Sequence, residues 1–481
     1  MKGRIKMKMR KILSVVLALA MTLSIASCAK TKTAGIGTNI SAEAKQAIKE
    51  GKIVVSIPKW PEEGAPGYED REKSRTEFME QNPDIFIERN TSSFNFQTFT
   101  AIAAAGELPT MFDTYYTQVN SIINDGFATD ITKPLADIGF LDYINEDLLA
   151  YTTDKDGKVY ALTNNAYNQG LHINKKIFKE AGLVDAAGNV LIPKTYEEVY
   201  EFSKVIKEKT GKAGFVFPTS ENAGGWHFIN VAWAYGVDFL KKEDGKYTAL
   251  FNTQECYDAF EWIRKMKAEE LFPTSATTIS QSKLYELFGT NQAAMMIADP
   301  PCNALTVSYG MDPKDIAVAA MPAGPAGAFS QLGGDVYMFR SDATEEQIAA
   351  CLKWLEFRGL TPEIDDAKMK KIEEDNQAAV EMNGIVLPRP ALSIWESPER
   401  DALVEEINMK HVNVNPIDYA SYYAGEGLTI KPEPAAACQE LYTILDGVIQ
   451  AIYADTNADI PTLVKDAEYK WQVNYLNKIK D

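Results

Sequence analysis

The stretch from residue 53 to residue 115 decides the fold class, and it reads IVVSIPKWPEEGAPGYEDREKSRTEFMEQNPDIFIERNTSSFNFQTFTAIAAAGELPTMFDTY. Its apolar runs predict strands at 53–57, 85–87 and 110–115. The segments between these runs predict helices at 70–81 and 96–105, which end at Asn82-Pro83 and at Gly106. Strands that alternate with helices at this spacing are typical of right-handed βαβ units and a parallel sheet, so the sequence predicts an α/β protein.

The N-terminus has the parts of an export signal. Basic residues from Arg4 to Lys11 precede an apolar run at 12–26, which is shorter than the roughly 20 residues of a membrane span. Ala26 and Ser27 then precede Cys28, which resembles the bacterial lipobox. We therefore expect the leader 1–27 to be removed and Cys28 to carry lipid at the extracellular face of the cell membrane. The alternative is an ordinary cleaved signal followed by a chance cysteine.

Composition limits the partners of the chain. It carries 67 acidic and 49 basic residues, and several of the basic ones lie in the leader, so the exported protein is strongly acidic. This charge argues against nucleic acid as a partner. The four cysteines after Cys28 are far apart in sequence, so no zinc site and no cofactor is predicted. We expect these four cysteines to be buried free thiols, and a single disulfide between two of them stays an alternative.

Five stretches in order over residues 52–357 carry a family resemblance. They are the run 52–68, GELPTMFD (106–113), GKVYAL with GLHINKKIFKEAG (157–162 and 170–182), PKTYEE (193–198) and FGTNQAAM (288–295). Together they resemble the family 1 extracellular solute-binding proteins, sugar-binding lipoproteins of ATP-driven (ABC) importers that are distantly related to maltose-binding protein. The chain departs from the family pattern at Thr163, His172 and Asn291, and residues 360–430 match nothing in it.

The resemblance implies a two-lobed periplasmic-binding-protein-like (type II) α/β fold. Such a fold has mixed and parallel sheets, flanking helices and an interlobe cleft for the ligand. We expect a lipidated Cys28 and a tether over 28–50, followed by two discontinuous lobes. The first lobe would contain 50–162 and 297–340, and the second would contain 163–296 and 341–481, with a helical C-terminal part. The chain would cross between the lobes near 164–169.

A sugar site needs aromatic rings for the C–H faces and carboxylates or amides for the hydroxyls. Residues of these kinds follow the predicted strands or lie in aromatic clusters, and glycine lets a backbone approach a ligand. The candidate ligand-binding residues are Trp60, Asn95, Asp113, Tyr115, Asn165, Asn168, Trp226, Asp299, Gly334, Asp335 and Trp395. Several have structural alternatives, because a tryptophan at a strand end can cap the core and asparagine favours solvated turns. His227 is expected to be a structural hydrogen-bonding residue.

No GxSxG, HExxH or P-loop motif occurs, so no catalytic residue is predicted. We expect a monomeric, non-enzymatic protein that captures a carbohydrate, in particular an oligosaccharide, and delivers it to the permease of an ABC importer. A secreted glycoside hydrolase stays an alternative, since chance pairs among 67 acidic residues cannot identify catalytic carboxylates. A binder of a peptide or another polar solute, and a structural surface protein, are further alternatives. The turn 455–459 could hold calcium but is more simply a solvated loop.

Overall fold

The computed structural model describes residues 35–37, 39–274, 278–390, 392–425 and 427–479. The leader predicted for 1–27 and the lipidation predicted at Cys28 lie outside these residues. In the described part of the chain, no helix has both the length and the apolar character needed to cross a membrane.

The strands are β1 Ile53–Ile57, β2 Ile85–Arg89, β3 Met111–Tyr115, β4 Ala161–Asn168, β5 Gly170–Asn174, β6 Ala213–Phe215, β7 Leu240–Glu243, β8 Lys246–Ala249, β9 Ala293–Ala298, β10 Ile316–Ala319, β11 Ala323–Gly324, β12 Gly327–Phe339 and β13 Leu428–Lys431. The helices are α1 Ala42–Lys49, α2 Tyr68–Gln81, α3 Phe99–Ala104, α4 Val119–Asn124, α5 Thr132–Asp137, α6 Glu146–Leu149, α7 Lys175–Glu180, α8 Tyr196–Thr210, α9 Ala223–Tyr235, α10 Gln254–Ala268, α11 Gln281–Gly289, α12 Ala304–Val307, α13 Glu345–Phe357, α14 Asp366–Glu381, α15 Pro398–Met409, α16 Ala420–Ala424, α17 Cys438–Ala454 and α18 Ile460–Asn474.

Packed structure begins earlier in the chain than the predicted tether allows. Ile36, Ile40, Ala44 and Ala47 form one apolar cluster with Val54 of β1, so α1 lies against the first strand pair. The N-cap of this helix also binds β2, because the backbone N and Oγ of Ser41 donate to the Glu88 carboxylate at 2.6 and 2.7 Å. The prediction of a tether up to residue 50 is therefore wrong from Ile36 onwards. Its small residues form the apolar face of a helix rather than a solvated linker.

The first lobe contains the predicted strand–helix alternation. β1 and β2 pair in parallel, as expected, and α2 ends at Asn82, whose side chain donates to the Phe78 carbonyl at 2.8 Å. The parallel pairing that the alternation predicted does not extend to the third strand, because β3 pairs antiparallel with β12. β4 pairs antiparallel with the same strand. This shared partner begins more than 200 residues after β3 and more than 150 residues after β4, so no local pattern could reveal it. The sheets are mixed, as the resemblance implied.

The second lobe is built around a four-stranded sheet in the order β10-β5-β9-β6. Both faces of this sheet are buried, which explains the continuous apolar run AAMMIA in β9. Side chains of a strand alternate between faces, so Met295 and Ile297 join one apolar cluster while Met296 and Ala298 join another. Helices α9, α17 and α18 pack together on one side of this lobe.

Two of the predicted lobe boundaries are wrong. β10 pairs with β5, so residues that follow 297 stay in the second lobe as far as Ala319. Helix α13 instead packs against β1, and its Trp354 lies in the core of the first lobe. The apolar face of such a helix fits either lobe, and the sequence does not say which one will bury it.

The lobes are joined by three stretches of chain. The chain crosses at Gln169 as predicted, because β4 belongs to the first sheet and β5 to the second. β12 runs back across, pairing with β13 at 328–331 and with β4 at 332–338. The unmatched segment 360–430 contacts both lobes: Trp395 lies in the first core, whereas Val414 lies in the second. The candidate site lies against two of these crossing stretches, β4 and β12.

Candidate functional site

A cleft of about 280 Å³ lies between the two lobes. β3 and β12 line it with Tyr115, Gly333 and Gly334, and the crossing strand β4 adds Tyr167. The second lobe supplies the remaining lining residues, which are Glu221, Asn222, Ala223, Trp226, Gln281, Tyr285, Asp299, Glu433, Gln439 and Tyr442. Four of the predicted ligand-binding residues therefore share one cleft: Tyr115, Trp226, Asp299 and Gly334.

Trp226 is fixed at the cleft wall by hydrogen bonds to the backbone of its helical turn and to its indole ring. It lies in the first turn of α9, where Asp446 of α17 accepts from the backbone N of Asn222 and of Gly225, both at 2.7 Å. An acidic group at a helix N-terminus satisfies free N–H groups and complements the helix dipole. The Gln331 carboxamide, with its oxygen toward Trp226, accepts from the indole Nε1 at 2.8 Å. The ring is thus held in place by protein contacts.

A chain of hydrogen bonds runs from the second-lobe core to Asp299. The buried His227 ring lies 3.0 Å from Gln281 Oε1, and the Gln281 amide donates to the Tyr285 hydroxyl at 2.7 Å. Burial lowers the pKa of His227 to about 4, so the ring is neutral at pH 7. Burial also raises the pKa of Asp299 to about 6, while a hydrogen bond from Tyr285 opposes that shift. Asp299 thus presents an oriented carboxyl group to the cleft.

Glu433 brings a second carboxyl group with an unusual pKa to the cleft. It follows β13 and accepts a hydrogen bond from the Tyr442 hydroxyl. Burial raises its pKa to about 7, although the hydrogen bond from Tyr442 opposes the shift. Because removal from water disfavours the charged form, the protonated form is favoured in the folded protein.

Replacement of Glu433 by glutamine is expected to stabilise the protein at alkaline pH. An acid whose pKa is raised on folding weakens the folded state as pH rises from its unfolded value, near 4.5, to its folded value, near 7. We expect Glu433→Gln to raise the free energy of unfolding by on the order of 1–2 kcal/mol at pH 8 and to make little difference at pH 4.5. Urea unfolding at both pH values measures this. An equal effect at the two pH values would contradict the assigned pKa.

Asp113, Asn165 and Asp335 also come together, but in an ion-pair network beside the cleft. Lys59 Nζ lies 2.9 Å from Asp113 Oδ2 and 3.1 Å from Asp335 Oδ2. Asn164 and Asn165 both donate to the Asp335 carboxylate. Burial lowers the pKa of Lys59, but the two carboxylates outweigh it and raise the pKa overall. These side chains therefore satisfy one another and brace the strand ends around Tyr115.

The paired glycines of β12 are required by the crossing strand. A Cβ at Gly333 would lie 2.3 Å from Cε2 of Tyr167, and Gly334 has φ +147° with Asn165 O only 2.2 Å from its Cβ position. At Gly334 a side chain would displace the backbone of β4, whereas at Gly333 it would displace the Tyr167 ring. The sequence predicted that these glycines let the backbone approach a ligand; in the structure they lie close to Tyr167 and Asn165 of β4, and both glycines line the cleft.

A family model for bacterial extracellular solute-binding proteins matches residues 60–357. The chain belongs to this family. The match covers both lobes of the solute-binding protein and most of its cleft. Glu433, Gln439 and Tyr442 lie beyond its end.

Relatives and solved structures agree with the family. The solute-binding protein is 24% identical over 238 residues to the melibiose/raffinose/stachyose-binding protein MelE of Bacillus subtilis (strain 168), an alignment of 45% of this chain and 49% of MelE. It spans about half the length of the curated relatives it matches. Maltose-bound MalE3 of T. maritima aligns with a TM-score of 0.64 at 17% identity, over 87% of this chain and 98% of MalE3.

A further solved structure has the same fold with a different ligand. UgpB of Mycobacterium tuberculosis, in complex with glycerophosphocholine, aligns with the solute-binding protein at a TM-score of 0.66 and 16% identity. That alignment covers 88% of this chain and 98% of UgpB. The two structures thus support the type II fold that the sequence predicted.

Four predicted site residues of the solute-binding protein lie elsewhere. Trp60 is 3% exposed and stacks on Trp354 with ring centroids 6.0 Å apart, and Trp395 is 2% exposed and packs edge-on against Phe140. The prediction that these two tryptophans stack on sugar is therefore wrong, because each fills the first-lobe core. Asn95 caps its own exposed turn through Gln97 N, and Asn168 accepts from the Tyr422 hydroxyl behind the crossing strand.

The cysteines that the structure describes form no disulfide. Cys256, Cys302, Cys351 and Cys438 are free and buried. Within the described ranges, no group of three or more His, Cys, Asp and Glu side chains is arranged to hold a metal ion. In the turn 455–459, Asp459 caps α18 by accepting from Thr462 N.

Half of the cleft residues that sequence analysis missed lie on helices. Gln281 and Tyr285 are four residues apart on α11, so they share a helix face, but that spacing is equally typical of core residues. Glu433 and Tyr442 flank the start of α17 and carry no motif. Tyr167 lies inside the polar crossing segment 164–169, between the candidate ligand-binding residues Asn165 and Asn168.

Proposed function

We propose that this solute-binding protein captures a carbohydrate, in particular an oligosaccharide, in its interlobe cleft and delivers it to the permease of an ABC importer. The observation that carries the proposal is the pairing of Trp226 with carboxyl and amide groups in one cleft, with Tyr115 supplied by the opposite lobe. Aromatic rings suit the C–H faces of sugars, while Asp299 and Gln281 suit their hydroxyl groups.

The relatives support a carbohydrate as the ligand of this chain, but they do not identify which sugar it binds. MelE is named for melibiose, raffinose and stachyose, and the MalE3 structure holds maltose. UgpB, with the same fold, holds glycerophosphocholine, so another polar solute is the alternative ligand. The matched family and MelE are both named as binding proteins, which favours capture over hydrolysis for this chain.

Binding would act through closure of the two lobes. A ligand that contacts both lobes stabilises the arrangement in which they approach each other. One protein contact already spans them, since Gln439 Nε2 donates to Thr117 Oγ1 at 3.3 Å. We propose that the protein works as a monomer without a cofactor, and that lipid on Cys28 holds it at the extracellular face of the membrane near the permease.

A thermal-shift screen of residues 29–481 tests the proposal. We expect mono- or oligosaccharides to raise the melting temperature in a concentration-dependent way, because a ligand that binds only the folded state stabilises it. Amino acids, short peptides and glycerophosphocholine serve as non-sugar controls. A shift with one of these controls alone would overturn the carbohydrate assignment and keep the fold.

Recovery of the ligand separates binding from hydrolysis. After incubation with the sugar that shifts the melting temperature, chromatography is expected to return it unchanged. Cleaved sugar would favour the glycoside hydrolase alternative, and Asp299 and Glu433 would then be the carboxyl groups to examine.

A further inference from the structure

A second cavity, of about 620 Å³, lies behind the crossing strand. It is bounded by Asn168 of β4 and by residues of the segment 389–430. Neighbouring side chains of a strand point to opposite faces, so Tyr167 reaches the interlobe cleft while Asn168 lines this rear cavity. Its volume is within the range of about 300–1,000 Å³ that is typical of small-molecule sites.

Two arginines line this cavity without a carboxylate partner. Among the described residues, no Asp or Glu oxygen lies within 4.0 Å of the guanidinium of Arg389 or Arg400, whereas most other arginines of this acidic chain form ion pairs. In addition, Arg400 Nε is buried and has no hydrogen-bond partner in the described structure. An unpaired buried donor costs free energy, so native proteins normally satisfy it.

The other lining groups indicate what kind of anion would fit. Tyr423 presents a half-buried aromatic ring, and the Arg389 guanidinium lies 5.3 Å from its centroid, whereas Tyr422 is packed in the second-lobe core. Asp401 and Glu405 also face the cavity, and the Asp401 carboxylate accepts from Ser393 Oγ at 2.9 Å. The lining of the rear cavity thus carries two cationic and two anionic side chains, so it does not attract a polyanion. This lining suits a molecule that has one carboxylate, several hydroxyl groups and an apolar face.

We propose that the rear cavity is a binding site for a sugar acid. The carboxylate of the ligand binds Arg400 and Arg389, whose planar guanidinium groups suit two-pronged carboxylate recognition. The sugar ring lies against Tyr423, and its hydroxyl groups donate to Asp401 and Glu405. This site is separate from the interlobe cleft and does not depend on what the cleft binds.

Calorimetric titration with glucuronate tests the proposal, with glucose as the matched neutral sugar and sodium sulfate as an inorganic oxyanion. To remove binding at the cleft, the titrations use the Trp226→Ala variant as well as the unaltered protein. We expect glucuronate to bind both proteins and glucose not to bind the variant. Loss of glucuronate binding in Trp226→Ala would assign the sugar acid to the cleft and overturn the rear site. Sulfate binding without glucuronate binding would overturn the sugar-acid assignment.

Arginine variants identify the residues responsible. Arg400→Gln and Arg389→Gln are each expected to weaken glucuronate binding by about tenfold or more, since each removes a charge-assisted hydrogen bond. Arg264→Gln is the matched control, because Arg264 pairs with Glu261 on α10, away from the cavity. The melting temperature of ligand-free Arg400→Gln should change little, because no carboxylate of the described residues lies within 4.0 Å of the Arg400 guanidinium and its buried Nε has no hydrogen-bond partner there. Unchanged affinity in both cavity variants would overturn the proposal.

Discussion

Replacement of Trp226 by alanine is expected to weaken carbohydrate binding at the cleft by about 30- to 100-fold. The indole is the largest aromatic surface that lines the cleft, and Gln331 fixes its orientation through Nε1. A ring held in place before binding loses little entropy when the ligand arrives, so most of its contact energy contributes to affinity. Calorimetric titration with the sugar identified by the thermal-shift screen measures the loss.

Two comparisons make this result specific. Tyr469→Ala removes an aromatic ring that is 67% exposed on α18 and does not line the cleft, so its affinity should equal that of the unaltered protein. Trp226→Phe keeps a ring and should recover part of the lost affinity. If Trp226→Ala binds the sugar as tightly as the unaltered protein does, the ligand does not lie against this wall.

Replacement of Gly225 by alanine is expected to destabilise the protein by about 3 kcal/mol or more. A Cβ at this position would lie 2.4 Å from the backbone O of Tyr442 and 2.5 Å from its Cα. Because those atoms belong to the backbone of α17, no side chain can rotate away, and α9 must separate from α17. Urea unfolding measures the change in free energy.

Gly447 on α17 is the matched control for this prediction. It is also a helical glycine, but no atom lies within 4 Å of its Cβ position. Gly447→Ala should therefore stabilise the protein by about 0.5–1 kcal/mol, as expected for alanine in an open helix position. Gly225→Ala should also weaken ligand binding, because the turn it displaces carries Trp226. An equal effect of the two substitutions would contradict the close helix packing.

Local patterns predicted the elements of the fold better than their partners. The strand at 53–57 and the helix that ends at residue 81 occur as predicted, because apolar periodicity is a local property. The pairing of β3 with β12 and the placement of α13 in the first lobe depend on which distant surfaces fit together. For the same reason, the lobe boundaries at 297 and 341 could not be read from periodicity.

The candidate site shows the same limit at the level of single residues. Tyr115, Asp299 and Trp226 were predicted because they follow strands or glycines, and they line the cleft. Trp60 also follows a strand, but its indole Nε1 donates to Glu72 at 2.8 Å within the core. The sequence shows where an aromatic residue occurs. Whether its ring turns inward depends on partners, such as Trp354, that lie almost 300 residues away.

Helix α1 determines how far the body could stand from a membrane. Its cluster includes Ile36, so a lipid on Cys28 would be separated from the packed body by the seven residues 29–35. Even fully extended, the eight Cα–Cα steps from residue 28 to residue 36 span no more than about 30 Å. Such a short attachment would turn the β1–β2 side of the first lobe toward the bilayer. It would also confine the cleft to a thin layer above the surface, where the local concentration at the permease is high.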